Sequence, residues 1–193
     1  MLAMSIPQKL REQTSVCHSA IEANPLLKRL TQNLSLMEYI NILIKFYSFY
    51  LRLEKSLDWT KIATLTEMKF TADKQKFPIL EKDLSYFGVS LEEIPLSPYY
   101  PRLQTLPAIL GCFYVLEGSC HGRKMMWPRL SAKLSIKENE GGAFFCDSVN
   151  QPQENWKCFC ELLTSKVKTE ADETECILTA VQTFKDLDQW FKT

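Results

Sequence analysis

The run LQTLPAILGCFYVLEGSCHGRKMMW, residues 103–127, reads as one helical segment that ends against Pro128. Gly111, Gly118 and Gly122 lie inside it. Gly118 and Gly122 are four apart, one turn along the same face of a helix. Each costs about 1 kcal/mol relative to alanine in a helix interior, so two on one face need a reason. Close packing against another helix is one. A planar ligand lying across bare backbone, or a kink, is the other. On an ideal helix Gly111, Tyr114, Val115, His121 and Met125 share or flank that face.

Outward from this segment, helical punctuation recurs. Ser5 precedes an amphipathic stretch ending near Ala23, with Pro7 tolerable in the first turn. Asn24-Pro25 pairs an N-cap with a first-position proline and opens a short helix through Leu30. Ser35-Leu-Met-Glu38 is a capping box at the head of an apolar, aromatic helix reaching about Leu57. The polar stretch Thr60 to Lys76 is partly helical at best. Phe77 to Phe87 is a helix stopped by Gly88. Three prolines make residues 89 to 101 irregular. Beyond Pro128 a polar loop runs to about Gly142, and helices then cover Pro152 to Lys168 and Ala171 to Phe191. The expectation is an all-α, single-domain multi-helix bundle over residues 1–193, seven or eight helices around one core.

Composition narrows the function classes. A hydrophobic content of 46% excludes long disorder. The 23 basic and 23 acidic residues give a net charge of +0, without the basic excess that marks a nucleic-acid binder. No apolar run reaches the roughly 18 to 20 residues that span a bilayer, and Met1 to Lys9 lacks the order of a signal peptide. The seven cysteines are odd in number and contain no Cys-x-x-Cys pair. Cys158 and Cys160 would point to two faces of a helix, so reduced thiols in a cytoplasmic protein are expected. Nucleic acid and membrane are not expected partners.

Only two histidines exist, His18 and His121. His18 lies on the first helix with Glu22 one turn later, on the same face. An imidazole whose second ring nitrogen meets a carboxylate is held in one tautomer and becomes a better metal ligand. Arg11 stands two turns earlier, at about 10 Å of rise, where its charge could meet an acidic group on the rim of a large flat cofactor. A surface stripe of Arg, His and Glu that serves solubility explains the same spacing.

Several blocks, in order, resemble the haem oxygenases. Leu10 to Glu22 (LREQTSVCHSAIE) and Asn24 to Leu30 (NPLLKRL) are similar to the first two helices of that family. Leu110 to Ser119 (LGCFYVLEGS) is similar to its distal helix in bacterial members, including those that supply bacteriophytochromes with biliverdin. Gly141 to Phe145 (GGAFF), Trp156-Lys157 and Thr183 to Trp190 (TFKDLDQW) match later blocks. The resemblance implies haem b, as cofactor and substrate, held between the first (proximal) helix and a glycine-kinked distal helix. His18 falls at the iron ligand, Glu22 at the carboxylate that supports it, and Arg11 and Lys157 at basic positions that pair with propionates. Gly118 and Gly122 fall at the distal glycines, with Tyr114 beside them. Ser119 stands where mammalian members carry an aspartate that organises distal water. Phe184 and Phe191 match apolar pocket walls. The implied reaction is O₂-dependent cleavage of haem to biliverdin, CO and ferrous iron. Its electrons come from an external donor such as a ferredoxin, a flavoprotein reductase or an ascorbate-like reductant, since no flavin or nicotinamide motif is present. A bilin-accepting photoreceptor is a further implied partner.

Two positions depart from the family pattern. Arg123 replaces a second small residue after Gly122. On an unbroken helix it lies about 140° from Gly118 and points away, whereas on a kinked one it could crowd the haem or reach a propionate. His121 also replaces a small residue, and it could be a sixth iron ligand, a distal hydrogen-bond donor or a packed side chain. The first option motivates an alternative, a haem sensor, store or carrier without turnover. A relative with the same fold but no haem needs a cysteine nucleophile or a convergent di-iron ligand set, which two histidines supply poorly.

Overall fold

The computed structural model describes residues 4–67, 69–146 and 152–193. The described residues form nine α-helices with short 3-10 turns between them. They are α1 (Ile6–Glu22), α2 (Pro25–Lys28), α3 (Leu36–Lys55), α4 (Trp59–Leu65), α5 (Phe77–Tyr86), α6 (Leu106–Leu134), α7 (Ala143–Cys146), α8 (Pro152–Lys166) and α9 (Glu170–Lys192). Among the described residues no helix is long and apolar enough to cross a membrane.

The anticipated caps are in place. Asn24 Oδ1 accepts the Leu26 N–H at 3.1 Å, and its Nδ2 donates to Asp188 Oδ1 at 2.8 Å, so one buried side chain starts α2 and ties it to α9. The Glu38 N–H donates to Ser35 Oγ at 3.2 Å while Glu38 Oε2 accepts the Ser35 N–H at 2.8 Å. Gly88 follows α5 in the left-handed region, with φ 71°, as a helix stop requires.

The long central helix differs from the sequence expectation. It starts at Leu106, with Thr105 as N-cap, and continues through Pro128 to Leu134. Pro128 removes the N–H that would meet the Lys124 carbonyl, but the proline sits on the exposed side of α6. There solvent can take the freed carbonyl, so the helix survives. The connection before Gly142 is correspondingly short. It closes in a wide turn at Glu138–Gly142 in which Gly141 has φ 87°. A side chain on Gly141 would collide with the Phe87 ring, 2.3 Å from the position of its Cβ. Helix α7 is an addition to the expected set, and α4 is the helical part of the stretch expected to be only partly helical.

The core lies where α6 crosses α9, with α1 against α9 on one side and α3 with α5 on the other. Gly111 permits the central crossing, because a Cβ there would stand 2.1 Å from the Cys176 carbonyl oxygen. Tyr39, Phe49, Tyr50, Phe144 and Phe145 fill the space beside α3. Two buried carboxylates cap helices from outside their own segment. Glu54 of α3 accepts the N–H groups of Lys76 and Phe77 at the head of α5, at 2.9 to 3.0 Å. Asp83 of α5 accepts those of Ala143 and Phe144 at the head of α7, both at 2.8 Å. They satisfy backbone donors that a helix start leaves open.

Candidate functional site

Helix α1 turns Leu10 and Thr14 into the core and leaves Arg11, His18 and Glu22 exposed. The Thr14 hydroxyl donates to the Leu10 carbonyl at 2.7 Å, with the Tyr114 side chain of α6 in its neighbourhood. Burial raises the Tyr114 pKa, while the Thr14 hydroxyl and the Arg11 charge oppose that rise.

One turn past Thr14, the His18 side chain is 57% exposed. Its ring stands edge-on to Phe184 of α9, 5.7 Å between centroids at 77°. His18 Nδ1 is 3.6 Å from Glu22 Oε2, an ion-pair approach longer than a hydrogen bond. With both groups in solvent, this pair contributes little to stability. The carboxylate lies on the Nδ1 side of the ring.

On α6, the glycines divide by what surrounds them. A Cβ on Gly118 would sit 3.6 Å from the Trp156 ring of α8, an ordinary contact. One on Gly122 would find only Met126 Cε, at 4.0 Å. The chain's own packing therefore demands glycine at 111 and does not demand it at 118 or 122. Tyr114 and His121 flank Gly118, and both rings meet Trp156, at 5.4 and 5.7 Å between centroids. Ser119 donates to the Leu116 carbonyl at 2.6 Å, and the buried Tyr50 of α3 lies in its neighbourhood. Burial pushes the Tyr50 hydroxyl far above its ordinary pKa, so it stays a neutral donor and acceptor next to Ser119.

The remaining sequence candidates separate. Lys157 is exposed on α8, one residue after Trp156. Phe184 is buried beneath His18, whereas Phe191, also buried, packs on Phe46 of α3 at 4.8 Å. Arg123 turns inward: it is 2% exposed, its guanidinium lies 4.3 Å over the Phe144 ring, and Nη2 is 3.0 Å from Cys120 Sγ. The orientation follows the unbroken-helix geometry, away from Gly118. Sequence reasoning missed Thr14, Tyr50 and Trp156 as members of this neighbourhood. Thr14 was within reach of it, because it stands one turn before His18 on the same stripe. Tyr50 carried no local signal.

By architecture the chain is an all-α protein of the haem oxygenase-like class. Its membership is explicit: the Heme oxygenase family model matches residues 4–193, so the chain belongs to that family. Among solved structures it is similar to the NO- and CO-bound heme oxygenase of Neisseria meningitidis. That likeness has a TM-score of 0.79 at 18% identity, over 98% of this chain and 94% of that one. It is likewise similar to the heme oxygenase of Leptospira interrogans, with a TM-score of 0.80 at 19% identity, over 97% and 98%. No curated protein sequence matches the chain.

Proposed function

We propose that this protein is a working haem oxygenase, which binds haem b between α1 and α6 and opens it to biliverdin, CO and ferrous iron. One observation carries the reading. Gly118 and Gly122 give up helix stability without any packing need, which suits a face that a flat molecule must approach. Haem, when bound, supplies both the iron that takes O₂ and the macrocycle that is cut.

The residues have distinct tasks in this reading. His18 offers Nε2 to the iron, and Glu22 keeps the ring in the tautomer that leaves this nitrogen open. As a neutral ligand, imidazole withholds the electron push with which a thiolate drives O–O cleavage. Arg11 and Lys157, both exposed cations, hold the propionates at the rim. Phe184 supports the His18 ring, and Phe191 extends the apolar wall. The bare backbone at Gly118 and Gly122 lets the flat molecule come close and leaves space for water beside it. Ser119, backed by Tyr50, positions a proton donor there without placing a strong acid on the distal side. Tyr114 closes one end of the face beside Thr14. Electrons come from a separate ferredoxin, flavoprotein reductase or small reductant.

The test is a hemin titration followed by single turnover. Protein mixed with hemin and a reductant under O₂ loses its Soret band and gains bilin absorption. Hemin binding without bilin, whichever donor is supplied, refutes turnover. A six-coordinate low-spin spectrum that His121→Ala converts to five-coordinate would instead establish the haem-binding alternative, which the place of His121 beside Gly118 makes specific.

A further inference from the structure

Gly118 and Gly122 of α6 differ in what meets them. Gly118 is half-buried, and the space its side chain would take ends on the benzo edge of Trp156. Trp156 Cη2 and Cζ3 are each 3.6 Å from that Cβ position. Gly122, about 6 Å further along the helix axis, is exposed and would meet only Met126 Cε, at 4.0 Å. The bare stretch is therefore closed at its first glycine and open at its second.

The closing ring is held on several sides. Trp156 projects from α8 and is half-buried. Its ring lies 5.4 Å from Tyr114 at 49°, 5.7 Å from His121 at 84° and 5.8 Å from Phe159 at 34°, offset and edge-on arrangements that aromatic rings favour. Phe159, one turn along α8, is buried and fixes the ring to the core. Tyr114 and His121 belong to α6, so the indole is clasped by the helix whose backbone it faces. Packing between α6 and α8 does not explain the glycine, since a Cβ at 118 would make only an ordinary contact with this ring. A withheld side chain and a bulky, clamped ring at one spot make sense together when a third body meets both.

We propose that Trp156 is a specificity-determining residue, an end-stop that fixes how far a flat macrocycle advances along α6 and which of its edges lies over Gly122. The inference rests on the haem reading above and concerns the seat, not the capacity to bind. A well-packed ring on a helix yields little, so it rejects in-plane orientations that drive rim substituents into it. The orientation that remains decides which bridging carbon of the macrocycle faces the bare backbone, and so which biliverdin isomer forms.

Proton NMR of the cyanide complex with iron dimethyldeuteroporphyrin tests it. This haem carries methyls in place of vinyls, so its two faces are equivalent and each set of methyl resonances reports one in-plane seat without turnover. The wild-type chain should show one dominant set. Trp156→Ala should add a second set at about a tenth of the intensity or more, seats that differ tenfold or less in stability. Trp156→Phe keeps a ring between Tyr114 and His121 with a shorter reach, and should show a weaker second set. Single turnover of hemin by the same proteins should yield a second bilin isomer in the same order. One dominant set and one isomer in both variants, as in the wild type, overturn the proposal and leave the haem reading standing. Two comparable sets in the wild type also overturn it. No haem binding by the wild-type chain overturns both. Should Trp156→Ala fail to fold, Trp156→Phe decides.

Discussion

Side chains are withheld at 118 and 122 although the protein has room for them, and this separates folding from function at a single atom. Gly118→Ala places its Cβ in ordinary contact with Trp156 and gains up to about 1 kcal/mol of helix propensity. The variant is therefore expected to melt at or above the wild-type temperature while its hemin affinity falls about tenfold or more. Thermal melts and Soret titrations on the same samples check this, and unchanged hemin affinity would remove the main support for the haem face. His18 gives the complementary case. It is exposed and its partner Glu22 is exposed, so His18→Ala should leave stability within about 0.5 kcal/mol. Its haem complex should lose the axial bond, and added imidazole should restore a five-coordinate spectrum. A haem spectrum identical to wild type rejects His18 as the ligand.

At the level of elements, α6 does two jobs at two heights along one face. At Gly111 that face is a packing contact, pressed against the α9 backbone at Cys176. Neither backbone can move aside as a flexible side chain would. Gly111→Ala is accordingly expected to destabilise the protein by about 3 kcal/mol, read from urea unfolding, with any loss of hemin binding following from loss of fold. The opposite outcome to Gly118→Ala, from the same substitution two turns away, tests whether the two levels of the helix are correctly assigned. Helices α5 and α7 depend on tertiary caps in place of local ones. Their first N–H groups are held by Glu54 and Asp83 from α3 and α5, which links the three helices in sequence beside the core.

For the molecule as a whole, those same two caps govern the dependence of stability on pH. Burial raises the Glu54 pKa to about 7 and that of Asp83 to about 6, although backbone N–H donors pull both down. The folded chain then retains protons that the unfolded chain releases between about pH 4 and pH 7. Folding stability falls as pH rises through that window and levels off above it. Glu38 works in the other direction. Its pKa is lowered to about 2 by the Ser35 hydrogen bonds and by Arg29, so its contribution is present above its ordinary pKa and is lost as pH drops toward 2. The expected profile has a maximum near pH 4. Glu54→Gln should flatten the decline between pH 5 and pH 7, as measured by urea midpoints across the range. A wild-type midpoint that rises steadily over the same interval contradicts the buried-carboxylate account.

The sequence by itself determined the local features. The caps at Asn24 and Ser35, the stop at Gly88, the helical identity of most segments and the one-turn spacing of His18 and Glu22 all follow from interactions spanning three or four residues. Tertiary structure alone decided what stands opposite each face. Gly111, Gly118 and Gly122 are the same residue in one helix, and spacing cannot say that Cys176 lies against the first while the other two have room. Nor could it place Arg123 over Phe144, bring Tyr50 to Ser119 or carry α6 through Pro128. Each of those outcomes depends on groups distant in the chain, or on which side of a helix meets water, and helical periodicity carries no information about either.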